Sequence, residues 1–218
     1  IRMWSYGGSL ANRNRRLDLA SPQNEKALIS FLESCRYSPG DIFNQSIDDS
    51  FRALGNGTAA MIISYTEYAA QIQDYIQGNI ITKIGYAMVP GLFTANVGWN
   101  LGISPNTKNL PLIGEFFKWL CTRHVSYYMT ILSGQSVVNY PYANHEILKL
   151  YPWLNATSEG MKHAVSRNFP YQGQNRNIAP YELARVVSKS LQKAVDGELA
   201  PAAALEDAQK NLLKLFSS

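Results

Sequence analysis

Apolar residues recur at helical spacing along most of the chain, which predicts a fold made mainly of helices. The helix that follows residue 21 has the clearest start, because Ser21 suits an N-cap and Pro22 suits the first helical turn. Ser46 and Asp49 predict a second helix through a capping box in which Asp replaces the usual Glu. Further helices are predicted over residues 110–120, the first half of 125–137, 144–151, 157–166, 181–195 and 201–216.

Three short apolar runs, separated by long connections, predict strands. They are residues 59–63, 84–89 and 97–103. Residues 4–19 predict two extended arms around a turn, and Thr66 is expected to cap a helix that ends near residue 77. The fold class is therefore helix-rich α/β. Because a sheet of so few strands looks incomplete, we expect part of the fold to be missing.

A polar and aromatic cluster directly follows the first of these runs. A glycine-rich turn at residues 55–57 leads into the apolar residues 59–63, and Tyr-Thr-Glu-Tyr follows at residues 65–68. In open α/β folds ligands collect at strand ends, where backbone N–H groups and side chains converge. Tyr offers a flat apolar face and a hydroxyl, which suits sugar and peptide surfaces. The cluster therefore indicates binding rather than catalysis.

Charge and cysteine content argue against several classes of protein. The 218 residues carry a net charge of +4 with a pI of about 9.0, and the arginines at residues 13–16 form the clearest basic cluster. We interpret this cluster as a solvated turn, because no nucleic-acid motif or longer basic face accompanies it. Cys35 and Cys121 lie at apolar helix positions and are expected to be buried free thiols. With three scattered histidines they show no metal-ligand spacing, so we expect no metal and no cofactor.

The sequence has no apolar run of the ~18–20 residues that a membrane span requires. It begins at Ile1 without a charged and then apolar leader, so we expect any targeting segment to lie upstream of this sequence.

No catalytic arrangement is evident. Asp48 and Asp49 are adjacent and would point about 100° apart on a helix, unlike two acids that face each other across a cleft. Glu67 has no obvious acidic mate, and neither Gly-x-Ser-x-Gly nor a phosphate loop occurs. We therefore predict no catalytic residues.

Several segments resemble, in the same order, the C-terminal half of extracellular solute-binding protein family 1. This is the maltose-binding-protein-like group of carbohydrate ABC transporters. The segments are Phe51 with Gly-Thr-Ala-Ala-Met at 57–61, residues 84–91, residues 97–109, residues 112–120 and residues 203–209. Residues 3–32 also fit the family's segment just upstream.

The resemblance implies a type II periplasmic-binding-protein-like fold of two α/β lobes. This chain would hold the C-terminal lobe and part of the N-terminal lobe. Residues 1–92 would belong to the second lobe, residues 93–133 would return to the missing first lobe, and residues 134–218 would complete the second lobe. The chain would then be a fragment. We expect domain swapping or homodimeric association to cover its exposed apolar surface.

The resemblance also implies where a ligand binds. Many members carry a Gly-x-Trp after the first strand, and Tyr65 or Tyr68 would take the place of that Trp. The expected ligand-binding residues are Trp4, Tyr6, Tyr65, Thr66, Glu67, Tyr68, Trp99, Asn100, Arg176 and Tyr181. Other interpretations stay open. Trp4, Tyr6 and Trp99 would equally serve packing, Glu67 would compensate a helix dipole, and Arg176 would lie in a solvated loop.

The implied function is that of the substrate-binding component of a bacterial ABC importer. It would capture a sugar or oligosaccharide outside the cytoplasmic membrane, in the periplasm or lipid-anchored at the cell surface. Its two lobes would close on the ligand for delivery to the permease subunits, without making or breaking a bond. The alternatives are a peptide, polyamine or phosphate ester as ligand, an interaction module without a small ligand, and a glycan-active enzyme.

Overall fold

The computed structural model describes residues 1–12, 14, 16–42, 44–69, 72, 84–91, 93–96, 100–133, 135–166 and 180–217. Helices dominate this part of the chain, with one short 3-10 helix at Thr66–Tyr68 and a two-stranded sheet of β1 and β2. In chain order the elements are α1 (Arg2–Ser5), α2 (Pro22–Cys35), α3 (Ile47–Gly55), β1 (Thr94–Asn96), α4 (Leu110–Leu120), α5 (Arg123–Ser133), α6 (Tyr140–Ala143), α7 (His145–Leu150), α8 (Trp153–Lys162), β2 (Ala164–Ser166), α9 (Pro180–Val195) and α10 (Pro201–Ser217).

The chain forms two compact units. Unit 1 comprises residues 1–38, 90–95 and 165–218, and unit 2 comprises residues 39–89 and 96–164. This division groups residues by mutual contact and does not test which lobe a residue belongs to. The assignment of residues 1–92, 93–133 and 134–218 to two lobes therefore stays a prediction.

The core of unit 1 is formed by α2, α9 and α10. Leu28 of α2, Leu183 of α9 and Leu205 and Leu212 of α10 are buried in one apolar cluster. Ala204, also buried there, is small enough to let neighbouring helices approach closely. A short turn at Gly197, which has φ of +79°, joins α9 to α10, as expected for glycine after a helix end.

The N-terminal segment of unit 1 is held by one buried amide. Asn24 of α2 has its Nδ2 atom 2.8 Å from the carbonyl oxygen of Ser9 and 3.0 Å from those of Asp18 and Leu19. Gly8 passes so close that a Cβ there would lie 2.0 Å from Asn24 Oδ1. The two arms that flank the predicted turn are thereby fixed to α2.

Only part of these two arms is extended. Ala11 and Leu17 form an antiparallel bridge, as predicted, but α1 occupies residues where an extended arm was expected. The helix is favoured because Met3 packs on the core of unit 1 and Arg2 Nη1 donates to the carbonyl oxygen of Ser30 at 2.8 Å. These tertiary contacts override the extended preference of the short segment.

Unit 2 has two apolar clusters. Tyr142, Ile147, Trp153 and Leu154, from α6, α7 and α8, are buried together. Phe51 of α3 is buried with residue 72 in the second cluster, where residues 62 and 68 pack against them.

Most of the predicted helices are confirmed. Ser21 Oγ accepts from the backbone N–H of Asn24, and Ser46 with Asp49 forms the expected capping box. The helices predicted over 110–120, 144–151, 181–195 and 201–216 begin and end within a few residues of α4, α7, α9 and α10, and α5 covers the first half of 125–137. The segment 157–166 is shifted, since α8 begins at Trp153 and residues 164–166 form β2.

The strand predictions at residues 59–63 and 84–89 are wrong. Burial along residues 84–88 alternates as in a strand, and Ile62 is half-buried while its neighbour Met61 is 86% exposed. A strand requires hydrogen bonds to a neighbouring strand, and within the described residues neither run has such a ladder. Of the third predicted strand, residues 97–99 lie outside the described residues and 100–103 are not in a strand.

Two other expectations also need correction. Thr66 lies in a 3-10 helix that ends at Tyr68 instead of capping a helix directly, and most of residues 70–83 lies outside the described residues. Both cysteines are free, but neither is buried. Cys35 is half-buried, and Cys121 is exposed because it is the C-cap residue of α4, beyond the apolar helical stripe.

Candidate functional site

A single tight turn presents the Tyr-Thr-Glu-Tyr cluster. Tyr65 precedes the 3-10 helix in an extended conformation, and its carbonyl oxygen accepts the backbone N–H of Tyr68 at 3.2 Å. Tyr65 is 55% exposed, whereas Thr66, Glu67 and Tyr68 are half-buried. The turn therefore displays an accessible ring beside a hydroxyl and a carboxylate.

Aromatic packing fixes this turn to the core of unit 2. The ring centroid of Tyr68 lies 6.0 Å from that of the buried Phe51 and 6.3 Å from that of Tyr65. Both pairs are tilted by about 50°, within the range of favourable aromatic contacts. The three rings thus form a continuous path from the core to the surface, and Tyr65 is its exposed end.

A distant polar side chain reaches the same turn. Gln135 Nε2 donates to Thr66 Oγ1, and the two residues are 69 positions apart in the sequence. The hydroxyl of Thr66 therefore has an accepting role that leaves its own proton available. Gln135 is a residue that the sequence did not single out, because no motif signals a contact of this range.

The segment of Gln135 is anchored by a buried tyrosine. The hydroxyl of Tyr142 accepts the backbone N–H of Ser136 at 2.9 Å and lies 3.3 Å from the carbonyl oxygen of the same residue. Burial raises the pKa of Tyr142 above its ordinary value, although the backbone hydrogen bond to Ser136 acts in the opposite direction. The neutral phenol is thus held in place, and it supports the loop that carries Gln135.

An aromatic cluster around Trp153 lies next to the turn. Its indole ring is 5.9 Å from Tyr86 and 5.2 Å from Tyr151, and burial raises the pKa of both phenols. Ala69, which directly follows the turn, packs against this cluster. In the sequence, the only sign of this aromatic cluster is the local density of aromatic residues, such as Tyr-Pro-Trp at 151–153.

The remaining candidates are distributed over the chain. Asn100 belongs to unit 2 and is exposed. Trp4, Tyr6 and Tyr181 belong to unit 1, where Trp4 is half-buried in α1 while Tyr6 and Tyr181 are exposed. Trp99 and Arg176 lie outside the described residues. Of the predicted set, the structure thus brings together Tyr65, Thr66, Glu67 and Tyr68, and the roles of all ten residues stay predictions.

One of the two adjacent acids of α3, Asp49, has a structural role. Asp49 Oδ2 accepts from the backbone N–H of Ser46 at 2.9 Å and from its hydroxyl at 2.7 Å, and Oδ1 lies 3.1 Å from Arg52. The hydroxyl hydrogen bond from Ser46 is the main cause that lowers the pKa of Asp49. The carboxylate of Asp49 therefore caps the N-terminus of α3.

The described residues contain no group of three or more His, Cys, Asp or Glu side chains able to hold a metal ion. Among the helices of the same residues, none combines the length and the apolar character needed to cross a bilayer.

The fold is that of a solute-binding protein with a type II periplasmic-binding architecture. Maltose-bound MalE3 of T. maritima is similar with a TM-score of 0.79 and 20% sequence identity. An ABC transporter solute-binding protein from Agrobacterium radiobacter K84, in complex with ribitol, is similar with a TM-score of 0.69 and 20% identity. Each match covers 98% of this chain and 56% of the other, so the chain spans about half the length of these proteins.

The chain belongs to the family of bacterial extracellular solute-binding proteins, whose sequence profile matches residues 3–123. Both the family resemblance and the helix-rich α/β fold class predicted from the sequence are confirmed. The family is described as one of solute-binding proteins.

Proposed function

We propose that the chain is part of the substrate-binding component of a bacterial ABC importer for a sugar or oligosaccharide. The ligand would be captured outside the cytoplasmic membrane by a protein that is periplasmic or lipid-anchored. Permease subunits would be its partners, and the bound solute would be released to them unchanged.

The observation that carries this proposal is the exposed ring of Tyr65 beside the hydroxyl of Thr66. A pyranose has an apolar C–H face and a rim of hydroxyls, and it is recognised by an aromatic face together with fixed polar groups. Tyr65 supplies the face, and Thr66, oriented by Gln135, supplies a hydroxyl in a defined position. Glu67 adds a carboxylate that accepts hydrogen bonds from sugar hydroxyls.

The two similar structures support a polyol ligand. One is described as bound to maltose and the other to ribitol, and both ligands are uncharged and rich in hydroxyls. The family membership supports the transport role and the location outside the cytoplasm.

Saturation-transfer NMR on the 218-residue chain tests the proposal, with maltose and ribitol as probes. We expect weak binding, in about the millimolar range, with transfer from protein to the ligand C–H protons. Tyr65→Ala should abolish the transfer. Tyr37→Ala is the control, because Tyr37 is 88% exposed and belongs to unit 1. Equal transfer in the wild type and in both variants would contradict the role of Tyr65.

A second ligand class, a polyamine, is favoured by one observation. Glu67 lies between Tyr65 and Tyr68 in the sequence of this turn, and a carboxylate near aromatic side chains suits an organic cation. Glu67→Gln separates the two classes. It should weaken spermidine binding at least tenfold and abolish its salt dependence, since one ion pair is lost, while sugar binding should change by only about threefold.

A further inference from the structure

The end of α3 places an unhindered glycine directly after an exposed asparagine. Asn56 is the single asparagine of the 218-residue sequence that is followed by glycine. Both residues are exposed, and Gly57 has φ of +72° with no described atom within 4 Å of the place that a Cβ would occupy. Because Gly57 has no side chain, its backbone nitrogen is free of steric hindrance to attack on the neighbouring side-chain amide, which would close a cyclic imide.

The helix cap holds this nitrogen away from the amide while α3 is closed. Asn56 has φ of −85° and ψ of −2°, and the N–H of Gly57 donates to the carbonyl oxygen of Leu54 at 3.1 Å. Ring closure requires rotation about ψ of Asn56, and this rotation breaks the hydrogen bond to Leu54. Helix ends open more readily than the whole protein unfolds. The reaction therefore proceeds from the opened end of α3.

We propose that Asn56 is a site of spontaneous deamidation and that the modification releases the end of α3. The nitrogen of Gly57 forms a bond to Cγ of Asn56, the Cγ–Nδ2 bond breaks, and ammonia leaves with the proton that Gly57 gives up. Water then opens the cyclic imide. Its addition at Cγ gives aspartate, and its addition at the main-chain carbonyl carbon gives isoaspartate. The reaction is intramolecular and consumes only water, so it requires neither a ligand nor a partner.

Isoaspartate changes the end of α3 in two ways. It lengthens the main chain before Gly57 by a methylene, and it puts a free carboxylate beside the last carbonyl groups of the helix. The cap depends on the N–H of Gly57 and on that of Ala59, which donates to the carbonyl oxygen of Ala53 at 2.9 Å. The longer main chain no longer matches both hydrogen bonds, and a negative charge is unfavourable at a helix C-terminus.

Incubation of the 218-residue chain at mildly alkaline pH tests the reaction. Peptide mapping and enzymatic methylation of isoaspartyl groups measure it. Asn106 is an internal control, because it is exposed and the N–H of the next residue, Thr107, also donates to a carbonyl oxygen at 3.1 Å, that of Ser104. Since Thr107 is β-branched, Asn56 should convert at least about tenfold faster. The rate at Asn56 should rise with pH, because the attacking nitrogen must lose its proton.

Two variants test the mechanism. Asn56→Gln keeps an amide on a longer side chain, which disfavours ring closure, so this position should stay unmodified. Gly57→Asn keeps the cap, since asparagine tolerates positive φ and the space for its Cβ is open. Its side chain hinders the backbone nitrogen, so conversion of Asn56 should slow at least about tenfold. Circular dichroism verifies that both variants are folded.

Amide hydrogen exchange tests the structural consequence. In the isoaspartyl form, separated by chromatography, the N–H of Ala59 should exchange at least about tenfold faster than in the unmodified chain. Freshly prepared Asn56→Asp is the matched control, because it adds the same charge without lengthening the main chain, and it should show a smaller increase. The N–H of Leu148 in α7, which donates to the carbonyl oxygen of Asn144, should exchange equally in all forms.

Three outcomes would overturn the proposal. Conversion at Asn56 no faster than at Asn106 would show that the closed cap suppresses the reaction. Undiminished conversion in Gly57→Asn would exclude attack by an unhindered nitrogen at this position. Unchanged exchange at Ala59 in the isoaspartyl form would show that the end of α3 is not released.

Discussion

Asn24 shows how one residue can organise a segment of irregular structure. Its amide group lies within hydrogen-bond distance of three carbonyl oxygens in the segment before α2, those of Ser9, Asp18 and Leu19. Irregular backbone can be buried only when its polar groups are paired, and Asn24 provides that pairing from a helix. The side chain is almost fully buried, so water does not replace it.

Asn24→Ala should lower the free energy of unfolding by about 2 kcal/mol, because buried carbonyl groups lose their donor. Urea denaturation measures the loss. Asn155→Ala is the matched control. Its amide also donates to two carbonyl oxygens, at 3.2 and 3.4 Å, but it is exposed, so the expected loss is below about 0.5 kcal/mol. Equal losses in the two variants would show that burial of Asn24 is not the decisive feature.

Of the residues that form the candidate site, only those that are consecutive in the sequence were predictable. Tyr65, Thr66, Glu67 and Tyr68 are consecutive, so a pattern of polar and aromatic residues after an apolar run identifies them together. Gln135 joins them through the fold, across 69 residues, and nothing in its neighbours indicates this contact. Long-range side-chain pairing of this kind depends on tertiary structure that periodicity does not describe.

Among the elements, the helix starts were predictable because capping is a local interaction. In α3 the hydroxyl of Ser46 accepts the N–H of Asp49, and the carboxylate of Asp49 accepts the N–H of Ser46. Four consecutive residues contain all the required chemistry. The same holds for Ser21 before α2 and Asn144 before α7.

Ser46→Ala should lower the free energy of unfolding by about 1 kcal/mol, because the backbone N–H of Asp49 loses its acceptor and the Asp49 carboxylate loses a hydroxyl donor. Chemical denaturation followed by circular dichroism measures the change. Ser50→Ala in the middle of the same helix is the control, and it should be neutral or slightly stabilising, since Ala has the higher helix propensity. A loss in Ser50→Ala as large as that in Ser46→Ala would rule out the capping explanation.

Strands were predicted poorly because they depend on partners that are distant in the chain. Residues 84–88 show the alternating burial of a strand, and their apolar pattern was therefore identified correctly. The hydrogen-bond ladder is a property of two segments, and the sequence of one segment does not determine it. The short strands β1 and β2, three residues each, carry too little pattern to be recognised.

For the whole molecule, ionisable groups with shifted pKa values predict how stability depends on pH. Asp207 of α10 accepts from Lys193 Nζ at 2.9 Å and from Ser190 Oγ at 2.8 Å, and chiefly the bond from Lys193 lowers its pKa below the ordinary 3.8. Because the folded pKa is depressed, the stabilisation is present above pH 4 and is lost as the pH falls below it.

The tyrosines of unit 2 have the opposite effect at high pH. Burial raises the pKa of Tyr86 and Tyr142 above the ordinary 10.0, so the folded state retains these protons more tightly than the unfolded state. Their contribution is fully present below pH 10 and is lost as the pH rises above it.

The thermal unfolding midpoint should therefore be highest at intermediate pH and should fall on both sides. Scanning calorimetry across the pH range measures the profile. Asp207→Asn should lower the midpoint at neutral pH and reduce the slope of the acidic fall, whereas Tyr86→Phe should reduce the slope of the alkaline fall only. An acidic slope unchanged by Asp207→Asn would refute the assignment of that group.

The indole of Trp153 also has an optical consequence. It is buried and has Tyr86 and Tyr151 within 6 Å, close enough for excitation of either phenol to reach it by energy transfer. Its fluorescence should be blue-shifted and shielded from iodide, whereas the emission of the exposed Trp119 should be red-shifted and readily quenched. Two of the four tryptophans, Trp153 and Trp119, thus serve as native probes with different emission wavelengths, one reporting on an interior and one on a surface.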